Sequence, residues 1–105
     1  MHIIDFDRAA SRFGSRALHI RYLRRFQEDP SYGALQDALH AGDLPGAYLA
    51  AHALKGLSAQ LGLSELHAAA AGLCAVLRAD LAPSPALVLA LEEAYARALH
   101  AVSLL

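Results

Sequence analysis

Ala51-His52-Ala53-Leu54-Lys55-Gly56 lies inside a longer stretch, Asp43 to Gly62, whose periodicity decides the fold. With Asp43 as N-cap and about 100° of turn per residue, the stretch reads as one long helix. Ala47, Ala50, Leu54, Leu57 and Leu61 then share a side that suits a core. His52 falls on the opposite side. Lys55 and Gly56 flank it one turn on, Tyr48 and Leu49 one turn back, and Ala59 two turns on. A core has little use for a face of small residues, one cation and one imidazole. That face reads as a place something else approaches.

Outward from this helix the chain keeps reading as helices. Residues 5–12 predict a short first helix, with Asp5 as its cap and Phe6, Ala9 and Ala10 as its apolar side. Gly14 interrupts it and Ser15 caps a second helix over about 16–28, whose stripe Leu18, Tyr22, Leu23 and Phe26 points inward and leaves Arg21, Arg24 and Arg25 outside. Asp29-Pro30 stops it, since a residue before proline avoids the helical region. A third helix over about 31–41 turns Tyr32, Leu35, Ala38 and Leu39 inward and ends at Gly42. Past Gly62, Ser64 is expected to cap a helix to about Asp80 with Leu66, Ala70, Leu73 and Leu77 inward. After Leu81-Ala-Pro-Ser-Pro, Ser84 caps a last helix to about Ser103, with Val88, Leu91, Tyr95, Leu99 and Val102 as its stripe. The fold class is therefore all-α. The expected architecture is an antiparallel four-helix bundle with an additional short N-terminal helix or helices, and residues 1–105 are expected to form a single domain.

Composition agrees. Alanine (24) and leucine (20) dominate 105 residues, while valine and isoleucine are scarce, which favours helix over strand. The net charge of −1 gives no reason to expect a nucleic acid. No apolar run approaches the roughly 18 residues a membrane span needs, so no membrane partner is expected. The single cysteine, Cys74, cannot form an internal disulfide and suits a reducing, cytoplasmic setting. The seven glycines are scattered, with no phosphate-cradling loop, so no nucleotide site is expected.

The His52-Ala53-Leu54-Lys55-Gly56 run, followed by Ser58 and Gly62, resembles the active helix of histidine-containing phosphotransfer (HPt) domains. Ala41-Gly42-Asp43 before it is similar to that family too, as is Arg12-Phe-Gly-Ser15 ahead of a helix ending near Phe26. The resemblance spans most of the chain. It implies an up-and-down four-helix bundle that carries a phosphoryl group on His52 between receiver-domain aspartates. The partners it implies are a response-regulator receiver domain and a hybrid histidine kinase. It also implies that no cofactor belongs to this chain, the Mg2+ being held by the receiver. A monomer is expected, and no enzyme with an ATP site.

The residue chemistry fits that implication. A neutral imidazole nitrogen is a nucleophile without a base to activate it. Phosphoryl transfer mainly needs positioning and charge compensation. Lys55 is read as the phosphoryl-stabilising cation, and Gly56 with Ala59 as the surface of close approach. Tyr48, Leu49, Gln60 and Leu63 are read as docking residues. The family often carries Glu or Gln on the next helix facing the imidazole; Cys74 aligns there, and Gln60 is the candidate to replace that bond. An isolated exposed histidine is ordinarily just a solvated residue, and His2, His19, His40, His67 and His100 are read as surface or partly buried. No close-spaced ligand pair marks a metal site. The competing reading is a helical interaction module that binds a receiver or kinase without carrying phosphate. Kinase dimerisation helices fit worse, because Ala53 stands where an acidic residue normally follows their histidine.

Overall fold

The structure is a computed structural model describing residues 3–105, with Ala10 and Ser11 described by backbone alone. The expectations for His2 and for the Ala10 side chain fall outside the described residues. Among the described residues six helices follow one another: α1 (Phe6–Phe13), α2 (Arg16–Phe26), α3 (Ser31–Ala41), α4 (Leu44–Leu61), α5 (Ser64–Arg78) and α6 (Pro85–Ser103). Their starts obey local chemistry. The side chains of Asp5, Ser15, Asp43 and Ser84 each accept a backbone amide three residues on. Ser64 does not cap α5. The link after Gly62 is one residue long, so Leu63 occupies the cap position without a side-chain bond and Ser64 is already helical.

Helices α3 to α6 form an antiparallel bundle, with α4 central and touching α1, α2, α3 and α5. Side chains report the directions. Tyr48 of α4 meets Arg78 of α5, while Lys55 meets His67. Glu65 of α5 pairs with Arg97 of α6. The bundle closes where Tyr32 of α3 stacks on Tyr95 of α6, ring centroids 3.7 Å apart, and where Gln36 bonds Glu92. Among the described residues, no helix is long and apolar enough to cross a membrane.

The buried side of α4 is Ala47, Ala51, Leu54, Ser58 and Leu61. It is rotated slightly from the expected stripe, because α5 packs along that flank; Ala50 and Leu57 are only half-buried. The Ser58 hydroxyl is admitted because it donates to the Leu54 carbonyl at 2.7 Å. A similar shift corrects α2. Its inward face is His19, Leu23 and Phe26, while Tyr22 is 43% exposed. His19 is buried rather than superficial, since α1 folds over it. Phe13 stacks on its ring at 4.7 Å and Phe6 meets it edge-on at 5.1 Å. In α6, Ala94 and Ala98 join Leu91 and Val102 in the core, and Val88, Tyr95 and Leu99 sit at its margin.

The C-terminal end of α4 is held by the N-terminal segment. Gly62 ends the helix at φ 75°, and Leu63 N–H returns to the Ser58 carbonyl at 2.9 Å. Arg12 Nη1 donates to the Ala59 carbonyl at 2.8 Å, His19 Nε2 to that of Leu61 at 2.6 Å, and Asp5 N–H to that of Gly62 at 2.7 Å. A Cβ on Gly62 would stand 2.6 Å from the Asp5 carbonyl oxygen. Gly62→Ala therefore combines left-handed strain with displacement of the segment around Asp5. It is expected to lower urea-unfolding stability by at least about 2 kcal/mol. Gly42→Ala, at φ 71° with nothing within 4 Å, should lose only the backbone part, about 1 kcal/mol.

Candidate functional site

His52 lies midway along α4 with its side chain exposed. The Tyr48 ring stands one turn back, 5.9 Å between centroids and tilted 45°. Beside them a cleft of about 130 Å³ opens between α4 and α5, lined by Tyr48, His52 and Lys55 on one wall and Cys74, Arg78 and two alanines on the other. Arg78 is the functional candidate that sequence reasoning missed. Its Nη2 reaches the Tyr48 hydroxyl at 3.4 Å, which turns the guanidinium across the mouth of the cleft. The signal was present: Arg78 is one turn beyond Cys74, the position already aligned opposite His52. The cleft thus carries an imidazole and two cations and no carboxylate.

Cys74 forms the buried end of the cleft, 6% exposed. Burial pushes its thiol above the ordinary value of 9.0, and the nearby charges of Lys55 and Arg78 offset only part of that. The thiol stays protonated and offers the imidazole neither an amide nor a carboxylate. Gln60 does not replace them, since eight residues of helix put it about 12 Å farther along the axis.

Lys55 is half-buried, and its carbonyl is held from two sides, by Ser58 Oγ at 3.0 Å and by His67 Nδ1 at 3.0 Å. A carbonyl only accepts, so Nδ1 of His67 carries the proton in that bond. Gly56 is exposed, and a Cβ built there meets nothing within 4 Å. The chain's own packing therefore makes no demand for glycine at this position. Ala59 is half-buried and bridged through its carbonyl to Arg12, so α1 borders the face there. Leu49 is 69% exposed, Gln60 is exposed and Tyr48 half-buried. Leu63 is corrected: it is fully buried in the core, because the one-residue link drives its side chain between the helices, and it offers no docking surface. Among the described residues no three His, Cys, Asp or Glu side chains converge as metal ligands.

Residues 27–101 match a family model described as the Hpt domain. The chain belongs to the Hpt domain family. No curated protein and no solved structure matches it. The match includes all of α3, α4 and α5 and most of α6. It begins after Arg12–Ser15 and α1, which the sequence resemblance had included. Hpt domains are phosphotransfer carriers of phosphorelays rather than enzymes with catalytic sites, and as a family they interact with receiver domains and kinases.

The Cys74 environment has a direct readout. Alkylation by iodoacetamide at pH 8 should be slow in the folded Hpt domain and fast in urea. Its pH midpoint in the folded state should lie above that of the same thiol in urea. Rapid alkylation of the folded protein at pH 8 would show an open, ionised thiol instead.

Proposed function

We propose that this Hpt domain carries a phosphoryl group on His52 in a multistep phosphorelay, taking it from one receiver-domain aspartate and passing it to another. The observation that supports this best is the cleft itself: an exposed imidazole on a packed helix, with Lys55 and Arg78 beside it and no carboxylate lining it. A ring nitrogen of His52 uses its lone pair to form a bond to phosphorus. The bond from phosphorus to the aspartyl oxygen breaks, and the electron pair leaves with the carboxylate. The ring then sheds one proton to water. The return step reverses these bonds with a second aspartate.

Lys55 and Arg78 compensate charge on the transferring phosphoryl oxygens. Gly56 removes a side chain where the partner backbone must come close. A mid-helix glycine costs roughly 1 kcal/mol relative to alanine, and no internal contact offsets that cost here. Tyr48, Leu49 and Gln60 form the docking rim. The Mg2+ belongs to the receiver, and the hybrid histidine kinase supplies phosphate to the relay. The chain works as one monomeric unit over residues 1–105 in the cytoplasm, a setting that a single buried thiol suits.

The test is transfer from phosphorylated receivers with magnesium. Acid-labile label is expected on the wild type and none on His52→Gln. Lys55→Ala and Arg78→Ala should each slow transfer by about ten- to a hundredfold, the range of one charge-assisted hydrogen bond. Label that survives in His52→Gln would reject His52 as the carrier. Absence of label in a folded wild type would favour an interaction module that binds without chemistry. In a separate comparison, Gly56→Ala should keep or raise the unfolding free energy, by up to about 1 kcal/mol, while slowing transfer. An alanine that transfers at the wild-type rate would remove the close-approach role.

A further inference from the structure

A second cavity, of about 240 Å³, opens on the His52 side of α4 nearer its C-terminal end. Arg8 and Arg12 of α1, Ser58 and Ala59 of α4, and Ser64 and His67 of α5 line it. Ala59 follows His52 by seven residues, which places this cavity about 10 Å farther along the axis. Like the His52 cleft it contains no carboxylate. The cavities beside Arg25 and Arg16 differ, since Glu28 and Asp29 line the first and Asp5 and Asp7 the second.

Asp5 turns its carboxylate to the Arg8 amide at 2.9 Å, and Glu65 is tied to Arg97 at 2.6 Å. Arg8 and Arg12 are one turn apart on α1 and share a face. Arg12 is fixed through Nη1 to the Ala59 carbonyl, and among the described residues its other N–H groups meet no acceptor. Both arginines lie outside residues 27–101, while the other residues lining the cavity lie inside the part of the chain that matches the family.

We propose that the cavity is a second docking point, gripping an acidic side chain on the surface of the receiver that engages His52. The inference rests on the proposed function. An interface of ordinary size covers about 800 Å² per partner and so extends roughly 15 Å from its centre. A protein centred on His52 therefore covers the cavity as well. Covering two guanidinium groups without a counter-charge is costly, whereas a carboxylate placed there compensates them. The cavity consequently selects among receivers by the charge they present about 10 Å from the phosphorylation site.

The experiment titrates receivers against the full chain and reads binding and transfer separately. Arg8→Glu is the main variant and Arg8→Lys its charge-conserving control; unfolding midpoints check that both fold. Arg8→Glu should raise the half-saturating receiver concentration about fivefold or more, with the plateau transfer rate unchanged. Arg8→Lys should restore it. The difference should shrink in 1 M NaCl, where the screening length is about 3 Å. The same titration in a His52→Gln background, which cannot be labelled there, should show the same loss of affinity. A receiver that binds without labelling the wild type would refute the carrier function yet leave this titration able to support or refute the docking point. Unchanged half-saturation in Arg8→Glu, or a fall in plateau rate alone, would overturn the proposal. A receiver panel in which nothing binds the wild type would overturn both.

Discussion

Helix α4 must be buried along Ala47, Ala51, Leu54, Ser58 and Leu61 while His52, the residue next to Ala51, stays in water. The helices that pack on α4 are placed by that division, and α6 packs in turn on α5 and α2. Alanines on the buried side let α5 approach closely, and α3 covers the adjoining flank. An α-helix has little circumference to divide, so beyond the first turn few positions remain outside: Leu49, His52, Ala53, Gly56 and Gln60. The exposed strip is narrow because the helix is central. A more peripheral helix would present more surface but would hold an imidazole less rigidly.

The same central position creates a difficulty at the end of α4, whose last carbonyls would otherwise be left unpaired. Gly62 and Leu63 satisfy part of this locally, and from the N-terminal segment Arg12 and His19 reach the carbonyls of Ala59 and Leu61 and Asp5 that of the cap residue Gly62. His19 is buried for this reason. It fills the space between Phe6 and Phe13 and directs its polar nitrogen to the Leu61 carbonyl. Removing the N-terminal segment would therefore uncover backbone as well as apolar surface.

Most helix ends were legible in the sequence because caps are local. Asp5, Ser15, Asp43 and Ser84 act through amides three residues on, and Gly42 and Gly62 through their own backbone. The phase of α4 was legible to within part of a turn, enough to put His52 outside. What failed were features that depend on distant partners. Tyr22 and His19 exchanged expected environments because α1 covers one flank of α2, which no periodicity in α2 encodes. Leu63 was misread because its burial follows from the length of the α4–α5 link. Arg78 was missed although Cys74, one turn before it, had been aligned opposite His52, because that alignment was not extended one turn along α5 to the other side chains facing the cleft.

The character of the cleft bears on why such a site suits a carrier better than a catalyst. Lys55 and Arg78 are the cations that the proposed function sets against the phosphoryl oxygens, and burial favours the protonated form of the Cys74 thiol. Neither a carboxylate nor a second imidazole lines the cleft, so the side chains that most often act as general bases are not beside His52. The missing amide or carboxylate opposite His52 points the same way. Ring orientation is left to Tyr48 and to the helix, so the reaction geometry is completed by whichever protein docks. On the proposed function, two cations beside an exposed imidazole would hold a phosphoryl group until a partner supplies the rest of the reaction geometry.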